Sequence, residues 1–509
     1  QSDELMRRLD LYGAAQKALA AQDAQTRTAL EAYARGVNAR IRAVNDQALG
    51  RGAPEFFLYA NTLAYWSPAD SLALLKLFGA RNTGALAAEV LRARLSLVLP
   101  AGRVGDLMPE APGTGLVALP DYAALAPGLS PGLIPGLAPA SAPQRSAALP
   151  FGPDPLAALP APAFAPASNA WAAAPKRAAA GGALLANDPH GALSAPSAFY
   201  LARLDLGSGA VIGATLPGVP LVLAGRSARL GWGITAAHAD DMDLFLEQLD
   251  PARPEHYLTP GGSARFETRR SIITVREAAP LTLTLRFSEN GPVLPGSHFG
   301  LAEITPPGHV MALGWTLLSP EDASMSGLMG VMRAGAIAPA LEAAAQISAP
   351  VLNLVLADAE TVALQTVGAL PLRDGAHQSQ GRLPAPGWRA ENRWQGLLPR
   401  ADLPRSLAPE GGIVGNTNNR LPAGPFPRHL GFDWGDTQRV ERWRHLMQSR
   451  EVHTRESFIE AQLDTVSFTA RSLLPLIGRD LWFEGPAAPA GSPERRRQEA
   501  LALLAAWNG

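Results

Sequence analysis

Prolines decide how this chain can be divided. They recur every few residues from Pro127 through Pro131, Pro135, Pro139, Pro143, Pro150, Pro153, Pro155, Pro160 and Pro162 to Pro166. The residues between are mostly Ala, Gly and Leu, with few charges. Proline fixes φ and lacks an N–H, so this density suits neither a helix nor a central strand. A structureless run as long as 101–167 is uncommon inside a compact domain. It reads either as a linker between two domains or as a spacer cut out of a precursor. Linkers join two exposed ends, whereas this run leads straight into a strand pattern. The expected division is 1–100, mainly helical; 101–167, spacer; and 168–509, rich in strands.

Cysteine is absent, which excludes disulfides, thiolate metal sites and a cysteine nucleophile together. Hydrophobic residues make up 47% and charged residues 17% of the 509, the balance of a chain that buries a large core. A net charge of −1 gives no general attraction to nucleic acid or anionic membrane. Apolar runs are too short to predict a membrane helix. The opening Gln1-Ser2-Asp3-Glu4-Leu5 reads as the middle of a helix and not as a signal peptide.

Before the prolines, spacing is helical. Leu9, Leu11, Ala14, Ala18, Leu30, Tyr33, Val37, Ile41 and Val44 predict two amphipathic helices over 2–48. Ser67, Pro68 and Asp70 read as the N-cap and first turn of another helix, and 85–97 as a further one. After the prolines, strands are expected near 169–173, 183–186, 199–204, 211–215, 219–224, 271–276, 281–287, 309–315 and 351–367. Helical runs return at 325–334, 339–347, 437–448, 455–463 and 493–507. Strands and helices without strict alternation indicate an α+β fold.

Ser168 stands at the seam. By itself a serine there is most simply a turn residue opening a strand. As a chain terminus it would carry its own base, because an α-amine has a pKa of about 8 and can deprotonate the hydroxyl of its own residue. The neighbourhood favours this second reading. Ala167-Ser168-Asn169-Ala170-Trp171, Asn187-Asp188-Pro189-His190, the run from Gly225 to Asp243, Gly415-Asn416-Thr417-Asn418-Asn419-Arg420 and Phe432 to Arg439 together resemble the penicillin acylase family of N-terminal-nucleophile hydrolases. The resemblance extends along the whole chain. It implies an αββα four-layer sandwich, self-cleavage at Ala167–Ser168 into α and β chains, hydrolysis of a small-molecule acyl amide, and a periplasmic location. It also implies that this chain is an internal piece of a longer precursor.

The resemblance assigns roles as well. Ser168 is the nucleophile, and its amine is the base. His190 lies where the main chain holds that amine, and its imidazole could help place the serine. The Ala236 N–H and the Asn418 amide form the oxyanion hole, supported by Arg439. Asn416 is two residues from Asn418, so a shift of register would exchange them. Glu89, Asp240, Asp243 and the Met242 carbonyl fall on the family's calcium ligands, and these are oxygen donors that suit Ca²⁺. Where a further aspartate is expected, this chain has Arg428. Gly79, Thr83, Gly191 and Ala224 fall on bulky positions of the phenylacetyl pocket, implying a larger pocket and a long aliphatic acyl chain.

Plainer readings stand beside these. Glu89 could be a surface charge, Asp240-Asp241 a turn pair, Asp188-Pro189-His190 a β-turn, and 415–420 an Asn-rich turn. The competing functions are a classical penicillin amidase and a non-catalytic binding protein. A Ser-His-Asp hydrolase is disfavoured because no Gly-x-Ser-x-Gly elbow is present.

Overall fold

The computed structural model of the chain describes residues 2–46, 52, 63–81, 83–109, 116–129, 167–191, 197–434, 438–481 and 488–509. The dense prolines of 130–166 lie outside the described residues. So do Gly435 and Asp436 of the run from Phe432 to Arg439.

Two antiparallel sheets lie face to face. The smaller has three strands, with Ala167–Ala173 between Leu184–His190 and Ile413–Asn416. The larger has seven. Within it Leu352–Ala357 is an inner strand, flanked by Val362–Val367 and Gly231–Ala236. Strand alternation sorts the side chains of Leu352–Ala357 into two cores. Val355 and Ala357 meet Ala170, Ala172 and Val414 of the small sheet. Leu352, Leu354 and Leu356 point the other way, into a cluster with Met325, Leu328, Ala340 and Ala344. Those four belong to helices Ser324–Arg333 and Ile337–Ala344. On the far side of the small sheet, Trp171 and Ala173 pack on Met447 and Phe458 of helices Gln438–Gln448 and Arg455–Gln462. Helix, sheet, sheet and helix thus follow in order, as expected.

A third, eight-stranded sheet was not foreseen as a separate unit. It is built around Met242–Asp250 and His309–Trp315. One face is covered by Ser2–Leu9 and Ala85–Val98, through Leu5, Leu9, Val90, Ala93 and Leu97 against Leu244, Leu246 and Leu313.

Two expectations along the N-terminal part are corrected. The first two helices are three: Ser2–Leu9, Leu11–Ala21 and Ala24–Asn45. Asp10 breaks the run at a φ of 51°, a conformation Asp tolerates better than most residues. Asp23 caps the third helix by accepting the Thr26 N–H at 2.6 Å. The run expected to be structureless, 101–167, is also not so at its start. Residues 101–107 and 122–125 are helical, and Tyr122 is fully buried, its hydroxyl donating to the Ile304 carbonyl at 2.8 Å. Prolines become dense only after Ala126, so the segment before them can contribute Tyr122, Leu125 and Ala126 to the core.

Candidate active site

The serine strand is paired on both sides, but not over the same length. Ala167 faces His190 and Ser168 faces Pro189 in one direction. In the other, pairing begins only at Ala170, opposite Asn416. Continuing that register places Ser168 opposite Asn418. There the backbone turns away, with Asn418 at a φ of 64°, and its side chain takes over the pairing. The Ser168 N–H donates to Asn418 Oδ1 at 2.6 Å.

Two further N–H groups converge on the Ser168 hydroxyl. The Ala236 backbone N–H donates to Oγ at 3.2 Å and Asn418 Nδ2 at 3.1 Å. Asn418 Nδ2 also donates to the Ala236 carbonyl at 2.8 Å, which ties the two donors together. Arg439, on the helix over the small sheet, donates to Asn418 Oδ1 at 3.1 Å, to Asn169 Oδ1 at 3.0 Å and to the Ser168 carbonyl at 3.4 Å. Ser168 and Asn418 are both buried, so these donors act largely away from water. Ser168, Ala236, Asn418 and Arg439 are therefore brought together from distant parts of the chain.

Asn416 is distinguished from Asn418 by what it holds. Its Oδ1 accepts from the Asn418 N–H at 2.8 Å, Thr235 Oγ1 at 2.9 Å and Asn353 Nδ2 at 3.1 Å. Thr366 Oγ1 in turn donates to Asn353 Oδ1 at 2.8 Å. Asn187 joins the sheets, donating to Asn169 O and Ile234 O at 2.9 Å and accepting from Ile234 N at 3.0 Å. Thr235, Asn353, Thr366 and Asn187 were not singled out from the sequence. A signal existed, since Asn353 interrupts the otherwise apolar strand Leu352–Ala357, and buried polar groups need partners.

His190 departs from one expectation. Directly opposed residues share a face and neighbours alternate, so His190, Ala167, Asn169 and Asp188 lie on the face opposite to the Ser168 hydroxyl. The imidazole bonds accordingly to the Asp188 carbonyl at 2.8 Å and approaches Asn169 Nδ2 at 3.4 Å. It is not in position to place Oγ. His238, by contrast, lies two residues after Ala236 at a φ of 47°. Burial and then the Arg439 charge push its imidazole below the usual histidine range.

The four pocket positions do not form one pocket. Gly79 is buried in its helix, where a Cβ would stand 2.9 Å from Leu317 Cδ1 and 3.2 Å from Pro350 Cβ. Its missing side chain is therefore filled by packing and adds no pocket volume. Thr83 lines a cavity of about 210 Å³ with Glu89, His238 and Asp240. Gly191 faces open space. Only Ala224 borders a large cleft, of about 820 Å³, with Leu184, Leu185, Leu201, Pro189 and Trp232. Its lining includes Pro189, the residue facing Ser168 across the ladder, but not Ser168, Ala236 or Asn418.

The expected calcium ligands are gathered, but around an arginine. Arg373 donates from Nε to Asp243 Oδ2 at 2.9 Å and from its terminal nitrogen to Asp243 Oδ1 at 3.0 Å and the Met242 carbonyl at 3.2 Å. The same nitrogen lies 2.9 Å from Asp240 Oδ2. Glu89 accepts the Leu244 N–H on both oxygens, at 3.2 and 3.1 Å. Its carboxyl is pushed well above the usual range by burial and then by Asp243 and Asp240. Burial works against the Arg373 charge, but Asp240 and Asp243 outweigh it and raise the guanidinium above its ordinary range. Arg428 is elsewhere, 3.4 Å from Asp402 and largely exposed. Among the described residues no three His, Cys, Asp or Glu side chains are disposed to share a metal ion. The expected calcium set, Glu89, Asp240, Met242 and Asp243, does not fit a calcium ion as arranged, because Arg373 already engages the oxygens of Asp240, Met242 and Asp243.

Known proteins agree with this architecture. The chain is 29% identical over 528 residues to the acyl-homoserine lactone acylase QuiP of Pseudomonas fluorescens (strain Pf0-1), covering 100% of this chain and 60% of that protein. It is 27% identical to the penicillin acylase 2 proenzyme of Pseudomonas sp. (strain SE83), covering 92% of this chain and 57% of the relative. The penicillin G acylase of Escherichia coli is 26% identical over 67% of this chain and 39% of its own length. The chain thus spans about 60% of the first of these relatives. A solved thermostable penicillin G acylase from Alcaligenes faecalis shares the fold, with a TM-score of 0.56 at 23% identity over 67% of this chain and 59% of that one. The penicillin amidase family model matches residues 1–509, and the chain belongs to that family.

Proposed function

We propose that this chain is the core of a self-processing, exported N-terminal-serine acylase, with Ser168 as nucleophile and a long-chain N-acyl amide as substrate. The observation that carries the reading is the environment of one residue. Ser168 has an acceptor on its nitrogen and two donors on its oxygen, all within 3.2 Å.

Maturation begins in the uncut chain. Ser168 Oγ adds to the Ala167 carbonyl carbon, the C–N bond breaks, and the nitrogen takes the hydroxyl proton. Water hydrolyses the resulting ester, leaving a carboxylate at Ala167 and a free amine on Ser168. Asn418 Oδ1 then accepts from that amine. Arg439, bonded to the same oxygen, disfavours a second positive charge beside it, so the amine is held in its neutral, basic form. In turnover the amine receives the Oγ proton as Oγ attacks the substrate carbonyl. The carbonyl oxygen becomes negative opposite the Ala236 N–H and Asn418 Nδ2, whose present positions near Oγ require little rearrangement. The amine next protonates the leaving nitrogen. Water repeats the addition on the acyl-enzyme and releases the acid.

The long-chain preference is supported by the cleft beside Ala224, whose lining includes Leu184, Leu185, Leu201 and Trp232, and an acyl-homoserine lactone as the amide by the names of the first relatives. A classical penicillin amidase preferring phenylacetyl is the second reading, favoured by the relative from Escherichia coli. The test is mass spectrometry of the full-length protein, followed by rates on octanoyl-homoserine lactone and a phenylacetyl amide. A β chain beginning at Ser168, absent in Ser168→Ala, with faster octanoyl hydrolysis is the expected result. Faster phenylacetyl hydrolysis selects the second reading. An intact 167–168 bond without acylase activity points to a binding protein.

A further inference from the structure

The carboxylates Glu89, Asp240 and Asp243 come from opposite sides of the proline run, and the structure already supplies a cation between them. We propose that the Arg373 guanidinium is a built-in replacement for a divalent ion, so that this protein needs no calcium at these residues.

Three observations support the replacement. The first is distance. Calcium holds oxygen ligands about 2.3–2.6 Å away, whereas Asp240, Asp243 and the Met242 carbonyl stand 2.9–3.2 Å from the Arg373 nitrogens. These oxygens are spread to the reach of a guanidinium, which offers N–H donors in a planar fork. The second is a cradle. Gly381 adopts a φ of 82°, and a Cβ there would lie 2.5 Å from Arg373 Nε and 2.7 Å from Cζ. The bare backbone at 381 is what leaves room for the guanidinium, and Arg373 as a whole is 2% exposed. The third is charge. The position expected to add another carboxylate carries Arg428, which turns outward to Asp402. The cluster has thus gained a fixed positive charge, and the further acid that lines its cavity, Asp433, is paired with Arg92. A divalent ion would have to enter beside a guanidinium that cannot lose its proton.

The consequence is structural. Arg373 lies on the short strand Pro371–Arg373 and clasps the segment that leads from Ala236 into Met242–Asp250. Glu89 brings the helix Ala85–Val98 to the same segment through the Leu244 N–H. The covalently tethered cation therefore fixes the segment to which Glu89 ties the helix that precedes residue 168, and a chelator cannot remove it.

The experiment uses the full-length protein and does not depend on its activity. Calcium content is measured by elemental analysis after gel filtration in calcium-free buffer, and melting is compared in EGTA and in millimolar CaCl₂. The expected result is no bound calcium and the same Tm in both buffers. Arg373→Gln, which removes the charge, should melt below wild type in EGTA. One equivalent of retained calcium, a wild-type Tm lowered by EGTA, or an Arg373→Gln variant as stable as wild type would overturn the proposal. If that variant does not accumulate, the metal content and melting of the wild type decide alone.

Discussion

Asn418 carries two jobs that a single substitution can separate. Its Oδ1 accepts from the Ser168 nitrogen and from Arg439, while its Nδ2 donates to Oγ and to the Ala236 carbonyl. Asn418→Asp keeps the acceptor and deletes the donor with almost no change in shape. In the ground state the effects partly offset. The Ala236 carbonyl loses a partner and faces a carboxylate, but Arg439 at 3.1 Å gains a charged one. Stability should therefore change little. In the transition state nothing replaces the donor. Removing one oxyanion donor costs about 2.7–4 kcal/mol, so kcat should fall by about 10²–10³. KM should stay near its wild-type value, because the lost interaction forms only as charge develops. The assay is release of the free amine from octanoyl-homoserine lactone by the matured variant, with melting measured in parallel. A kcat within about tenfold of wild type, or a KM that rises while kcat holds, would refute the assignment of Asn418 as oxyanion donor. Asn418→Ala is a poorer probe. It also strips the serine nitrogen of its acceptor and puts Ala at a φ of 64°, a left-handed conformation that costs about 1–2 kcal/mol.

Other perturbations separate packing from pocket. Ala224→Phe should block the 820 Å³ cleft and lower kcat/KM for octanoyl more than for acetyl amides, as a paired substrate comparison would show. Gly79→Leu should instead force Leu317 and Pro350 apart, lowering stability by about 1–3 kcal/mol in denaturant melts while leaving acyl preference unchanged. Glu247 provides a pH test. Burial, only partly opposed by hydrogen bonds such as that from Asn290, raises its carboxyl from 4.5 to about 7. A raised carboxyl binds its proton more tightly folded than unfolded, so its stabilisation is full below about pH 4.5 and lost as pH rises through 7. Glu247→Gln, which cannot ionise, should show a flatter fall in Tm between those two values than wild type.

Residues adjacent in sequence were the readable part of the site. Ser168, Ala236, Asn418 and Arg439 each sit in a contiguous run whose pattern could be matched as a block, and the structure brings all four together. Apolar periodicity likewise located most helices and strands, because burial on one face imposes a 3.6- or 2-residue period. What failed to show was whatever depends on a partner elsewhere in the chain. Gly79 looked like missing pocket volume until Leu317 and Pro350 were seen to fill it. Arg373 beside Asp240 and Asp243 could not be foreseen, because nothing nearby in sequence announces it. His190 turned on parity: as the end of a strand and not a turn, it faces away from the hydroxyl it was expected to assist. Tyr122 shows that a sparse-charge, Pro-containing stretch can still contribute one large side chain to the core.

The serine strand is a middle strand, gripped from both edges in the uncut chain. On the proposed self-cleavage, the nick is made in a finished building and not in loose thread. A chain that has not yet joined residues 168, 236 and 418 would then have no means of cutting itself, and the appearance of the shorter product on a gel would report that folding has succeeded. Variants can then be ranked for correct assembly by band pattern alone, before any substrate is in hand.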